Sequence, residues 1–254
     1  EARVQDIVVD GFWMDEHPVT NLDFLRFVKA TGYTTFCQRA PDASQYPGAK
    51  PEMLVPGSII FKRSTGPVDL SNHFNWWDWR PGADWQHPEG EGSTIAGRER
   101  HPVVHVAYAD VEAYAQWAGK ELPSETEWEF AARGGLDGAE FAWGSELMPK
   151  GKPMANTWQG EFPYENLLVD GYEGTSPVGS FAPNGYGLYD MIGNVWEWTD
   201  EWYTSTHASV SPCCAGDLRA SSVDPNDPAA IPRKVMKGGS HLCAPNYCLR
   251  YRPA

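Results

Sequence analysis

The residues Trp117-Ala118-Gly119-Lys120-Glu121-Leu122-Pro123-Ser124-Glu125-Thr126-Glu127-Trp128-Glu129 hold one helix end and one helix start, and the architecture can be read outward from them. Gly119 can adopt the left-handed conformation that stops a helix. Before it, Val111, Tyr114, Ala115 and Ala118 recur at helical spacing, which predicts a helix over 110–118. Ser124 and Glu127 stand three apart as a capping box, so a second helix starts at 125. Trp128, Ala131 and Ala132 then face a core, and Gly134-Gly135 ends the helix. Upstream, Thr20 reads as the cap of a helix over 21–31, with Leu22, Leu25 and Val28 as its apolar stripe and Gly32 as its stop. Ile7-Val8-Val9 reads as a short strand that turns at Asp10-Gly11 onto Phe12-Trp13-Met14. Residues 33–100 are irregular, with one strand at Ser58-Ile59-Ile60-Phe61, and beyond 136 only short strands and turns are expected. Helices segregated from short strands give an α+β class made mostly of loop.

Composition narrows the possibilities. The chain has 254 residues, 25 glycines, 21 prolines and 12 tryptophans, and no repeat or low-complexity linker divides it. That is read as one domain over 1–254 whose loops are pinned by large aromatic side chains. The net charge of −14 argues against a nucleic-acid partner, which needs basic neutralisation of phosphates. It suits a cationic peptide or bound divalent cations. No run of 18 apolar residues is present, so no membrane-spanning helix is expected. The first residue is Glu1 rather than Met, so a trimmed start is expected.

Chemistry concentrates in Gly238-Gly239-Ser240-His241-Leu242-Cys243-Ala244-Pro245-Asn246-Tyr247-Cys248. Extended chain would hold the two cysteine Cα atoms roughly 17 Å apart. Ala244-Pro245-Asn246 is a turn signal that can bring both sulfurs to one point. That point could be a disulfide, a two-coordinate soft metal, or nothing at all. Structural zinc needs four ligands, and no second Cys/His pair at zinc spacing exists. Two thiolates without further ligands suit Cu(I), and a disulfide is equally permitted by the turn. The remaining cysteines, Cys37, Cys213 and Cys214, are too few and too unevenly spaced for a disulfide scaffold. Cys213-Cys214 reads as a loop.

The chain resembles the formylglycine-generating enzyme family, the sulfatase-modifying factors. The resemblance is carried by Glu16-His17-Pro18-Val19-Thr20-Asn21, Asp84-Trp85-Gln86-His87-Pro88-Glu89-Gly90, the 117–129 stretch, Asn184-Gly185-Tyr186-Gly187-Leu188-Tyr189-Asp190, Gly193-Asn194-Val195-Trp196-Glu197-Trp198 and the cysteine segment. Many of these words recur in non-catalytic paralogues; the pair Cys243/Cys248 is what the catalytic branch has and the inactive branch has lost. The resemblance implies the loop-rich sulfatase-modifying-factor fold, distantly similar to C-type lectin-like domains. It implies an oxidase that uses O2 to convert the cysteine of a Cys-x-Pro-x-Arg segment, in an unfolded sulfatase polypeptide, to Cα-formylglycine.

Site residues follow from the same resemblance. Cys243 and Cys248 hold Cu(I) in near-linear coordination, or cycle between thiols and disulfide without metal. Ser240 and Tyr247 line the reaction pocket, and Trp76 looks onto the substrate cleft. Asn156, Thr157, Asp170 and Tyr172 form one structural Ca2+ site; Asp190, Gly193, Val195 and Glu197 form a second, with the oxygen-only donor set that calcium prefers. His241 is left outside the metal site. Family members that are secreted carry structural cysteines where this chain has Ala113 to Ala115 and Ala131-Ala132, so a reducing bacterial cytoplasm and a monomer are expected. The family continues past Arg250-Tyr251-Arg252-Pro253 to a final Gly-Phe-Arg strand, so a further C-terminal segment is implied.

Overall fold

The computed structural model describes residues 7–46, 48–204, 217–227 and 229–253. Cys213 and Cys214 lie outside the described residues. Helix α1 spans Asn21–Thr31, and Thr20 caps it: its hydroxyl accepts from the Asp23 amide at 3.2 Å while the Asp23 carboxylate turns back to Thr20. The buried face is not the expected Leu22 stripe. Phe24 and Phe27 face inward, Leu25 and Val28 are half-buried, and Leu22 is exposed. The aromatic rings win the core because each removes more apolar surface from water than a leucine does. Strands β1 (Gly57–Phe61) and β2 (Trp77–Pro81) pair antiparallel, from Gly57 opposite Pro81 to Phe61 opposite Trp77. The sequence pattern predicts only β1; β2 hides in a tryptophan-rich run.

Helix α2 is Tyr108–Ala118, two residues longer at its start than its spacing predicts. The buried Asp110 carboxylate accounts for this, since it accepts from the Ala107 amide at 2.8 Å and so extends the cap upstream. Helix α3, Glu125–Arg133, carries the predicted capping box, with Trp128, Ala131 and Ala132 buried. Its C-terminus is held by the Asn184 side chain, which donates to the Ala131 carbonyl at 2.7 Å. A Cβ on Gly185 would lie 2.1 Å from the Gly134 oxygen, so that close approach requires glycine. Strand β3 (Glu197–Trp202) pairs antiparallel with β4 (Lys234–Lys237) across a bulge, and the one-turn helix α4 (Leu218–Ser221) lies between them in sequence.

The strand expected over 7–9 does not form. Val8 and Trp13 stand exposed, while Phe12 and Met14 pack on the core around Trp128. An isolated two-stranded hairpin is marginal in water, and side-chain burial decides the path instead.

Three buried clusters organise the described residues. One surrounds Phe24, Phe27 and Trp85; a second joins Trp76, Trp158 and Phe162; a third gathers Trp128, Phe141, Met191, Ile192 and Tyr251. The cysteine segment is wedged between the last two. Cys243 belongs to the Trp128 cluster, while its neighbours Leu242 and Ala244 belong to the Trp76 cluster. No described helix is long and apolar enough to cross a membrane.

Candidate functional site

The turn read at Ala244-Pro245-Asn246 forms. The Tyr247 and Cys248 amides both donate to the Ala244 carbonyl, at 3.1 and 2.9 Å, which reverses the chain. The two sulfurs come to 2.9 Å. That is well beyond the roughly 2.05 Å of a disulfide, and both cysteines are free. Cys243 is 2% exposed and Cys248 half-buried. The two thiols are unequal. A hydrogen bond from Cys243 pulls the Cys248 thiol down to about 7, against burial and with help from Arg250. The same bond, with burial, pushes the Cys243 thiol up. Either sulfur can donate across this contact, and the surroundings favour negative charge on Cys248 over Cys243.

Ser240 is buried and serves this turn twice. Its amide points at the Cys243 sulfur at 3.4 Å, and its hydroxyl oxygen accepts from the Leu242 amide at 3.2 Å. Tyr247 is 42% exposed, and its ring stacks on Phe162 at 4.4 Å with planes 8° apart. Trp76 meets Tyr247 edge-on at 5.2 Å. At 1% exposure Trp76 lies beneath the site as a support for Tyr247 and presents no free face to a cleft.

Two thiolates are the donor chemistry that Cu(I) selects. Cys243 and Cys248 are the two residues that would hold such an ion.

In the first oxygen cluster Thr157 and Tyr172 meet Asp170 through their amides and not through the carbonyls expected of them. Asp170 accepts from the Thr157 and Tyr172 amides at 3.2 and 3.0 Å, and from the Gln159 side-chain amide at 2.7 Å. That same Gln159 amide contacts the Thr157 carbonyl and hydroxyl, so the positive end of an amide group sits where these oxygens converge. Asn156 Oδ1 is buried with no partner. An orphaned buried oxygen beside such a set is what a hard cation would satisfy. In the second cluster, Asp190 has a left-handed backbone and its carboxylate accepts from the Gly179 amide at 2.7 Å. Glu197 accepts from Trp128 Nε1 at 2.7 Å. Burial pushes both acids up, Glu197 to about 7, and Asp190 adds to the Glu197 shift by repulsion. Two half-buried carboxylates, with Asp190 repelling Glu197 and no Lys or Arg ion-paired to either among the described residues, also fit a cation. Among the described residues no cluster of three or more His, Cys, Asp and Glu side chains offers another metal site.

Sequence reasoning missed the residue that links these parts. Asn194 is fully buried, and its amide donates to the Asn156 carbonyl at 2.8 Å. Its side chain brackets Ser176, accepting from the Ser176 amide at 3.0 Å and donating to its carbonyl at 3.2 Å. Its own carbonyl receives the His241 amide at 3.0 Å and faces His241 Nδ1 at 2.9 Å. Burial holds the His241 imidazole below its usual range and hence neutral. Asn246 is more than the turn former its sequence context suggests. Its side chain also bridges to the next loop, accepting from the Phe162 amide at 3.3 Å and donating to Glu161 at 3.1 Å. Its position in a turn beside a cysteine was the available signal.

A cavity of about 550 Å³ runs along Met14, Tyr114, Trp128, Glu197 and Trp198. Neither cysteine borders it, so it is separate from the thiol site.

With this geometry in view, the sulfatase-modifying factor enzyme 1-like domain family matches residues 1–254. The chain belongs to that family. It is 52% identical to the formylglycine-generating enzyme of Mycobacterium tuberculosis, covering all of this chain and 84% of that protein. It is 44% identical to the mouse formylglycine-generating enzyme, covering all of this chain and 63% of that one. A mouse protein named inactive C-alpha-formylglycine-generating enzyme 2 is 40% identical over 80% of this chain and 62% of its own length. Among solved structures, PvdO from Pseudomonas aeruginosa matches at a TM-score of 0.51 and 24% identity, covering 93% of this chain and 69% of that one, a likeness of fold. The architecture is the loop-rich α+β fold of this family.

Proposed function

We propose that this chain is a formylglycine-generating oxidase, converting a cysteine of an unfolded sulfatase polypeptide, within Cys-x-Pro-x-Arg, to Cα-formylglycine with O2. The observation that carries the reading is the pair of free cysteines in contact, one buried and the other half-buried, on a turn clamped from both sides. Full-length identity to relatives bearing the enzyme's name supports it. Cys243 and Cys248 would hold Cu(I), which supplies the redox chemistry with O2 when bound. Cys248 offers the accessible ligand and Cys243 the anchored one. The substrate thiol must lose its proton to join such a pair, because soft metals take thiolate. Tyr247, exposed at the rim and locked by Phe162, orients the incoming chain, and Ser240 fixes the Cys243 sulfur.

In net terms, the substrate's thiol-bearing methylene loses two electrons and two protons to give a thioaldehyde. Two equivalents of an external thiol, oxidised to a disulfide, donate two more electrons and two protons, so that O2 leaves as two waters. Water then releases the sulfur as hydrogen sulfide and leaves the aldehyde. The hard-cation clusters are structural Ca2+ sites that tie down loops with few regular hydrogen bonds. The 2.9 Å sulfur contact favours one second reading, in which the pair cycles to a disulfide without metal.

The test is incubation with a Cys-x-Pro-x-Arg peptide, air, copper and a thiol reductant, followed by mass spectrometry. The expected peptide loses the mass difference between a thiol-bearing methylene and an aldehyde. An unchanged peptide overturns the reading. Undiminished turnover in a Cu(I)-selective chelator selects the metal-free form.

A further inference from the structure

We propose that His241 is a positioning residue that carries the arrangement of the two oxygen clusters to the cysteine pair through the carbonyl of Asn194. The inference rests on the functional reading above for its consequence, and on geometry alone for its existence.

Three hydrogen bonds join residues 193–194 to the stem of the cysteine turn. The Gly193 amide donates to the Gly238 carbonyl at 2.9 Å, the His241 amide donates to the Asn194 carbonyl at 3.0 Å, and His241 Nδ1 reaches the same oxygen at 2.9 Å. A carbonyl only accepts, so Nδ1 carries the proton and this tautomer is imposed by the fold. One carbonyl has two lone pairs and takes both donors, which locks the His241 side chain to its own backbone. That leaves the neighbouring Ser240 and Leu242 little torsional freedom.

The opposite side of Asn194 is equally constrained. Gly193 and Val195, its sequence neighbours, are expected carbonyl donors of the second oxygen cluster. Its amide and its side chain bind Asn156 of the first, at 2.8 and 3.4 Å. A Cβ on Gly193 would lie 2.4 Å from the Asn156 carbonyl, so the two loops touch at backbone level. The Trp158 amide, one residue beyond Thr157, donates to the Cys243 carbonyl at 3.0 Å. Both oxygen loops therefore bond to the cysteine turn, one at its stem through Asn194 and one at Cys243. Within that frame, the His241 side chain is the one that spans from the turn to Asn194. Its imidazole makes the register of the Ser240–Cys243 turn depend on where Asn194 sits.

The test uses the full chain and reads the effective concentration of Cys243 for Cys248. Equilibration with glutathione, acid trapping and mass mapping of the 243–248 peptide give that quantity without copper or turnover. His241→Asn places an N–H close to Nδ1, whereas His241→Leu fills the space with no donor. We expect His241→Leu to lower the effective concentration about fivefold or more, and His241→Asn to restore it to within about twofold of the parent, the scale of one buried hydrogen bond. A calcium chelator should lower the value in the parent chain and act clearly less on His241→Leu, where the backbone bonds from Trp158 to Cys243, from Gly193 to Gly238 and from the residue 241 amide to Asn194 still link the loops to the turn. If His241→Leu lowers the melting temperature but leaves the thiol equilibrium at the parent value, His241 is only packed and the proposal falls. It also falls if the Asn and Leu variants shift the equilibrium equally, or if both respond to chelation as the parent does. Failure of the parent chain to convert peptide refutes the functional reading instead, and leaves this readout intact.

Discussion

Glu197 offers a perturbation whose size can be worked from its surroundings. The carboxyl is buried against Trp128, whose Nε1 donates to it at 2.7 Å, and it lies within electrostatic reach of Asp190. Burial outweighs the hydrogen bond, so its pKa rises from 4.5 to about 7. Below pH 4.5 both folded and unfolded chains hold the proton, and the group favours neither. Between 4.5 and 7 the folded chain keeps a proton that the unfolded chain has released, so stability falls as pH rises. Above 7 the loss is complete, at about 3 kcal/mol for a shift of this size without a bound cation. In a chain of this length that is on the order of 6–12 °C of melting temperature. Glu197→Gln keeps an acceptor for Trp128 and removes the titration. In chelator, the parent and Glu197→Gln melting curves should therefore converge near pH 4.5, separate as pH rises from 4.5 to about 7 and stay a constant distance apart above that, with the variant the more stable. Ca2+ at a thousandfold excess over Kd should reverse the order, since a cation bound only to the native state then contributes roughly 4.1 kcal/mol. Superimposable pH profiles for the two chains in chelator would sink the argument. So would an equal calcium response in the variant.

Other outcomes follow from the same geometry. Cys243→Ser and Cys248→Ser should each abolish peptide conversion, because a hydroxyl does not replace a thiolate on a soft ion; Cys37→Ser should leave conversion near the parent value, and either reversal in a peptide assay would move the site. Alkylation followed by peptide mapping should show Cys248 reaching half its maximal rate near pH 7, while Cys37, whose thiol burial pushes up, reacts only at more alkaline pH. Equal pH dependence of the two thiols would contradict the assigned hydrogen bond. Trp76→Ala should lower stability by about 3–5 kcal/mol, as removal of a fully buried indole does; a variant with unchanged melting and altered peptide KM would return Trp76 to the cleft.

Local rules carried as far as local chemistry reached. Thr20, Ser124 and the glycines at 32, 119 and 134 mark the helices because capping is decided within a few residues. The sulfur pairing was legible for the same reason, since a proline-bearing turn between the two cysteines leaves the chain few paths. What escaped was set by packing between distant segments. Phe24 and Phe27 displaced Leu22 from the core only because Trp85 and Tyr114 supply facing rings, at 5.2 Å from Phe24 to Trp85 and 5.7 Å from Phe27 to Tyr114. Val8 and Trp13 carry strand propensity, yet no partner strand covers them among the described residues, so propensity had nothing to act on. Asn194 shows the limit most clearly. Its importance lies in its bonds to Asn156, Ser176 and His241, which are separated from it by 18 to 47 residues. A spacing rule sees an asparagine after a glycine and reads a turn. Only the folded chain reveals that this turn is where the oxygen clusters and the thiol pair meet. A chain with so little regular structure relies on side-chain amides such as Asn194, Asn184 and Asn246 for the cross-links that a sheet would otherwise provide.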